Sequence, residues 1–405
     1  MGCDCKEDAY LNGGGKQLNL ALISHGPPDD PKHFSGIPWH VLQELRRQGH
    51  VVEPFYAEPA EWARTWAELK NRFSLKFTRQ PHHVEADAQI LRTRSAKVAA
   101  QIRKFSPDAV LCAGFPEAAI ALPESAPLFI WMDAFYPTLR RVYPYFRIYY
   151  SDADAHDLQQ IEGRVLRRCR RVWLSSEWAA AEARADFPGA ASHIGVQGFG
   201  ANLANPPAAG AVEESLAARN LAEPVMLFLV NEWERKGGDT AVNTVKRLRE
   251  RGTAAKLAVV GLKDKPASVP DVPWIEWIGP LRKDQPDESA RLQKLLAESA
   301  FLLLPSVADC TPIVCHEAAA YGLPVLATNV GGIASTVTAG ETAMLWSNDK
   351  FADDAPAWMA AILADRPRYE KMSRAARRRF ETVGNWKVNV RAVATAIAAN
   401  LSASE

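Results

Sequence analysis

Short apolar runs that alternate with helical patterns occur twice along this chain, in two series separated by one stretch rich in Gly, Pro and Ala. The first series begins with LNLALIS (18–24), passes through the helix-patterned PWHVLQELRRQGH (38–50) to VVEPFY, and after a predominantly helical stretch at roughly 58–104 resumes in AVLCAG, PLFIWMD and RVWLSS. Within 38–50, Val41, Leu42 and Leu45 share one face and Gly49 ends the helix. The second series opens with VMLFLV (225–230) and continues through KLAVVG, WIEWIG, AFLLLP, PVLATN and AMLWS. Its helix DTAVNTVKRLRERG (239–252) turns Ala241, Val242, Val245 and Leu248 inward. Such alternation predicts mostly parallel sheets covered by helices. Two series predict an α/β chain of two doubly wound, Rossmann-like domains. Because these folds bind ligands beyond the carboxyl ends of their strands, facing sheets would share an interdomain cleft.

The length of 405 residues suits two cores rather than one. The break at GFGANLANPPAAGAVEE places a first domain at 18–200, a linker at 201–215 and a second domain at 216–385. A flexible leader at 1–17 and a C-terminal helix at 386–405, with a crossing back to the first domain as one route for it, complete the division. Trp62, Trp66 and Phe73 in the helical stretch either shape a binding site or pack as core, and helical spacing of aromatics favours core.

Lys+Arg number 48 against Asp+Glu 47, and a net charge of +1 argues against nucleic acid as the main partner. The basic runs GRVLRRCRRVW (163–173) and AARRRF (375–380) read as solvated helix faces, with peripheral membrane contact as the alternative. No apolar run has the length of a membrane span, and the N-terminus lacks the apolar core of a secretory signal. Six scattered cysteines without a metal-ligand spacing fit a reducing cytoplasm, at the inner face of the membrane if the basic runs touch lipid. Oligomeric state leaves no mark in the sequence.

The segment ADCTPIVCHEAAAYGLPVLATNVGGI (308–333) carries the sharpest chemistry. Thr311 suits an N-cap and Pro312 the first helical position, leaving the amides of Ile313 and Val314 aimed out of the helix end, where anions bind. Glu317, in the second turn, leans back toward that end. A ligand satisfying both features has phosphates beside hydroxyls, as a nucleotide sugar does. NEWERKGGD (231–239) adds Arg235 and Lys236 ahead of Gly237 and Gly238, cations next to a backbone that phosphate can approach. HFSGIPWH (33–40) holds Gly36 between His33 and His40, Asp133 follows the strand PLFIWM, and VGG (330–332) follows PVLAT. There is no Walker loop, H-E-x-x-H or nucleophilic triad pattern. Asp152 and Asp154 spell D-x-D but read as the acidic opening of a helix rather than a metal site.

Taken together, these motifs resemble the glycosyltransferases of family four, the large retaining group with the GT-B fold. PSVADCTPIVCHEAAAYGLPVLATNVGGI is similar to that family's segment of paired acids separated by seven residues, which fall on Asp309 and Glu317. ERKGGD, GFGAN, SSEWAA and NWKVNV are further matches in the expected order. The resemblance implies transfer of a sugar from a nucleotide-diphosphate sugar to a hydroxyl acceptor, whether glycan, lipid-linked or small molecule, by a retaining hexosyltransferase. It implies no metal and no cofactor beyond the donor co-substrate. Under it Glu317 holds the ribose and Asp309 the donor sugar's hydroxyls. Lys236 contacts the diphosphate with the amides of Thr311 and Ile313, while Arg235, Gly261 and Gly36 join the donor-binding set. Asp309, Lys236 and Asp133 make up the catalytic set. Asn231 stands where the family usually has Arg, Asp309 where Glu is commoner, and Met132 where a His often precedes the acceptor-side Asp. A sugar-nucleotide epimerase on the same fold and a noncatalytic nucleotide-sugar-binding protein are the alternatives.

Overall fold

The computed structural model describes residues 16–403, which form two compact units. Most of the leader expected at 1–17, and Cys3 and Cys5, lie outside the described residues. The first unit comprises the chain through Ser175, Ala179–Gln197 and the stretch from Trp386 onward. The second comprises Ser176–Trp178 and Gly198–Asn385.

The first unit is built on strands β1 (Asn19–Ile23), β2 (Val51–Phe55), β3 (Ala109–Ala113), β4 (Leu128–Met132), β5 (Arg171–Leu174) and β6 (Ile194–Val196). They pair in the order β2-β1-β3-β4-β5-β6, all parallel. β3 and β4 read AVLCA and LFIWM and are buried along their whole length, as strands covered on both faces must be. The sequence reading misses β6, three residues at the sheet edge that are too short for periodicity to reveal.

The last helix, Trp386–Ser402, belongs to this first unit. Trp386 lies edge-on to Trp131, with ring centroids 5.7 Å apart, and parallel to His40 at 5.9 Å. The Gln48 amide donates to the Lys387 carbonyl at 3.0 Å, and Gln197 donates to Asn389 at 2.7 Å.

The helix Glu61–Phe77 departs from expectation. Trp62, Trp66 and Phe73 do not form core, because the stripe that packs inward is Ala63 and Ala67, both fully buried, against Ile90. Small residues let this helix approach its neighbour closely and turn the aromatics away.

The D-x-D pair opens the helix Asp152–Arg168. Ser151 caps it and Asp154 completes a capping box. Asp154 also accepts from the His83 amide at 3.1 Å and from His82 Nδ1 at 2.6 Å. Burial pushes its carboxyl up, but these donors together outweigh burial and hold it below its usual range. Asp154 is thus engaged by protein donors.

The second unit contains β7 (Val225–Leu229), β8 (Lys256–Val260), β9 (Ile275–Gly279), β10 (Phe301–Leu304), β11 (Val325–Thr328) and β12 (Ala343–Trp346). Their order is β12-β11-β10-β7-β8-β9, again all parallel. Alternation along the strands divides the core into two layers. Met226, Phe228, Phe301 and Leu303 pack with Val245, Leu248 and Phe351 on one face, while Leu227, Leu302 and Leu304 pack with Ala318, Leu323 and Leu292 on the other.

Part of the segment expected as linker is a helix, Ala209–Ala218, with Val212 and Leu216 buried. Its alanines favour helix and its two apolar residues sit four apart, signals outweighed in the sequence reading by the nearby Gly and Pro. Arg219, just beyond, anchors it by donating to the Tyr321 carbonyl at 2.7 Å, the Gly322 carbonyl at 2.9 Å and the Ala297 carbonyl at 2.9 Å.

Candidate functional site

In a doubly wound sheet the ligand-binding position is the point where strand order reverses, at the carboxyl ends of the two strands flanking it. In the second unit these are β7 and β10. The loop after β7 carries Arg235 and Lys236, the loop after β10 carries Asp309, and the Val307 amide ties them together by donating to the Arg235 carbonyl at 2.8 Å.

Lys236 Nζ forms an ion pair with Asp309 Oδ2 in this setting, and both side chains are largely buried. Arg235 Nη1 stands 4.0 Å from the same oxygen. The guanidinium of Arg235 donates to Glu232 at 2.7 and 2.9 Å, to the Ala308 carbonyl at 3.2 Å and to Asn231 Oδ1 at 3.2 Å. Asn231, standing at the family's usual arginine position, therefore holds the neighbouring arginine in place.

Backbone packing places these loops. Gly237 has φ +73°, and a Cβ there would lie 2.0 Å from the Pro305 carbonyl oxygen. Gly331 has φ +53°, with its Cβ position 2.1 Å from the Asp309 carbonyl oxygen, and the Gly332 amide donates to that oxygen at 3.0 Å. The VGG turn thus seats the acidic loop. Gly261, at the end of β8, backs onto the Val230 carbonyl, 1.9 Å from where its Cβ would be. Gly237→Ala is expected to destabilise the chain by about 1–3 kcal/mol through a disfavoured φ alone, and by more through the clash with Pro305. Urea unfolding followed by circular dichroism measures it.

The helix after Asp309 runs from Ile313 to Ala320, with Pro312 as its N-cap in extended conformation (φ −74°, ψ 99°). The cap is one residue later than the sequence suggests. The Thr311 hydroxyl donates to the Cys310 carbonyl at 2.7 Å. Proline's ring disfavours helical geometry in the residue before it, which keeps Thr311 outside the helix. The first amides of a helix have no partner within it, so Ile313 and Val314 still begin an anion-attracting end.

Glu317 is buried and forms an ion pair with Lys283 Nζ, which also donates to the Asn202 carbonyl at 3.3 Å. The sequence reading does not include Lys283; its signal is its place in GPLRKD, directly after strand β9. Next to Glu317, burial and then the Arg379 charge push the His316 imidazole down to about 3, so it is neutral.

Gly36 and Asp133 lie on the first unit. Phe34, Ser35 and Gly36 all have positive φ (46°, 55° and 77°), a left-handed run of the kind found at ligand-holding loops. Asp133 follows β4 and accepts from the adjacent Ala134 amide at 2.8 Å.

At the first sheet's own reversal, between β1 and β3, a cavity of about 410 Å³ is lined by His25, Arg94, Phe115, Glu117, Tyr136 and Glu162 among others. Burial raises the Glu117 carboxyl to about 7 and holds that of Glu162 well above its usual range. Burial, with His33 and Arg94 adding to it, pushes His25 down to about 3. Arg94 Nε and the Tyr136 hydroxyl are buried and have no hydrogen-bond partner among the described residues. The sequence reading misses this group because its members come from separate helices and loops.

Among the described residues, no group of three or more His, Cys, Asp or Glu side chains could hold a metal ion, and no helix is long and apolar enough to cross a membrane.

Two parallel six-stranded sheets, each flanked by helices, define the GT-B architecture. A sucrose-phosphate synthase of Thermosynechococcus elongatus superposes with a TM-score of 0.67 at 17% identity, over 96% of this chain and all of that one. The Anabaena protein Alr3699/HepE, solved with UDP-glucose, superposes at 0.59 and 14% identity, over 95% of this chain and all of that one. Residues 223–365 match the family glycosyl transferases group 1. The D-inositol 3-phosphate glycosyltransferase of Nocardia farcinica (strain IFM 10152) is 29% identical over 158 residues, which is 37% of this chain and 35% of that protein. The corresponding protein of Rhodococcus opacus (strain B4) is 34% identical over 93 residues, 21% of each chain. The matches therefore span about a third or less of the length of these curated relatives.

Proposed function

We propose that this chain is a glycosyltransferase that moves a hexose from a nucleotide-diphosphate sugar to a hydroxyl acceptor with retention of configuration. The observation that carries the reading is the Lys236–Asp309 pair at the strand-order reversal of the second sheet, beside the helix opening at Ile313. Breaking the bond between the anomeric carbon and the diphosphate oxygen leaves negative charge on the departing nucleotide. A lysine and a helix end placed there stabilise that charge more in the transition state than in the bound donor. Asp309 shares its carboxylate between Lys236 and the sugar hydroxyls, and Glu317 accepts from the ribose. No side chain is assigned as nucleophile.

Solved neighbours carrying UDP or UDP-glucose support a uridine nucleotide as donor. For the acceptor, the first unit's cavity offers rings from Tyr56, Phe115, Tyr136, Phe146 and Tyr150 together with hydrogen-bonding groups from His25, Arg94, Glu117 and Glu162. Aromatic faces and hydroxyl-binding side chains suit a sugar or cyclic polyol, in keeping with the acceptor in the names of the curated relatives.

Incubation with UDP-glucose, with and without sugar and polyol acceptors, tests the reading. Glycosylated product that forms only with acceptor supports it, whereas an altered nucleotide sugar formed without acceptor identifies an epimerase. Because charge neutralisation rests on Lys236 and a helix end, transfer is expected to continue undiminished in EDTA. Loss of turnover in EDTA, restored by manganese or magnesium, would contradict that assignment.

A further inference from the structure

Of the twelve large hydrophobic side chains most exposed among the described residues, six lie on the single helix Glu61–Phe77 of the first unit. Trp62 is 59% exposed, Trp66 52%, Leu69 40%, Phe73 60% and Phe77 71%. Their spacing of three or four residues gathers these five into one stripe along the helix, separate from the buried stripe of Ala63 and Ala67. Phe73 and Phe77 stack with ring centroids 6.1 Å apart. An apolar face of this size on a surface normally has a partner.

The charges around it identify that partner. The carboxyl-terminal half of the helix and the turn after it carry Arg72, Lys76 and Arg79, all exposed and without an ion pair among the described residues. Lys76 Nζ sits 5.5 Å from the Phe77 ring centre, while Lys70, 6.0 Å from that of Trp66, is paired with Asp87 at 2.7 Å. The exposed acids of the helix, Glu61 and Glu68, lie in its first half. A stripe of tryptophan and phenylalanine whose carboxyl-terminal half, at Phe73 and Phe77, carries free lysine and arginine suits the boundary between lipid headgroups and acyl chains. Rings enter that boundary while cations meet anionic headgroups.

We propose that the helix Glu61–Phe77 is an interfacial docking element through which the first unit binds an anionic lipid surface. This places membrane contact on a different segment from the basic runs 163–173 and 375–380. It is independent of the donor-site reading, so vesicle binding and sugar transfer fail separately.

The test is sedimentation of the full-length chain with phosphatidylcholine vesicles, with and without phosphatidylglycerol. Binding is expected to the anionic vesicles, to weaken with added salt, and to shift Trp fluorescence to the blue. Replacing Trp62, Trp66, Phe73 and Phe77 by Ser is expected to lower the partition coefficient at least about tenfold, and Arg72→Glu with Lys76→Glu and Arg79→Glu to do the same. Every changed side chain is exposed, and circular dichroism on each variant checks that the fold is retained. No binding of the wild type, or variants that bind as the wild type does, would overturn the proposal. A concentration-dependent dimer that the aromatic substitutions abolish, without vesicle binding, would assign the face to a second copy of the chain and overturn it equally.

Discussion

Replacing Lys236 by Met is expected to lower kcat by about 10²–10³-fold, the usual effect of removing one group aimed at charge that develops in the transition state. Two effects combine in this variant and must be separated. Asp309 is buried and would be left with Arg235, 4.0 Å away and engaged by Glu232 and the Ala308 carbonyl, as the nearest charge. Breaking a buried ion pair from one side costs about 3–5 kcal/mol of stability. The double variant Lys236→Met with Asp309→Asn removes the stranded charge, so it should regain most of the lost stability while staying inactive. Urea unfolding of both variants beside single-turnover rates with UDP-glucose distinguishes a chemical role from a structural one. Recovery of turnover in the double variant would show that Lys236 only balances Asp309.

The two series of apolar runs correspond to eleven of the twelve strands, because buried parallel strands are continuous hydrophobic segments and need no long-range information to be seen. The loops that carry Lys236 and Asp309 are legible for a related reason. In a doubly wound sheet, function follows each strand's carboxyl end, so Lys236 and Asp309 could be placed from local sequence alone. What stayed hidden depends on partners distant in the chain. Lys283 meets Glu317 across 34 residues, and VGG needs the Asp309 loop beneath it to show why glycine is required there. The cavity of the first unit draws Arg94, Glu117 and Glu162 from three separate elements. The helix Glu61–Phe77 shows the opposite limit. Its helical period is plain in the sequence, but periodicity does not say which stripe faces inward, and the alanines rather than the larger aromatics occupy the core.

Glu317→Gln and Asp309→Asn are expected to separate binding of the nucleotide from handling of the sugar. Glu317 is buried, but its partner Lys283 is 45% exposed, so neutralising the acid strands a lysine that water can solvate, and stability should fall little. If Glu317 accepts from the ribose, the glutamine keeps the shape and loses the charge-assisted part of a bond worth about 1.5–3 kcal/mol. Affinity for uridine diphosphate should then fall by roughly 10- to 100-fold, and affinity for the full donor with it. Asp309 works through a different partner. Its carboxylate holds Lys236, and Asp309→Asn releases that ammonium toward a bound diphosphate, so affinity for the free diphosphate should stay level or rise. Turnover should drop in the same variant, because the amide no longer orders the sugar hydroxyls as the carboxylate does. Calorimetric titration with uridine diphosphate, beside initial rates with UDP-glucose, reads both halves. Equal loss of diphosphate affinity in the two variants would reject this division of labour, and no loss with Glu317→Gln would leave the Lys283–Glu317 pair a purely structural tie between the helix at Ile313 and the loop after β9.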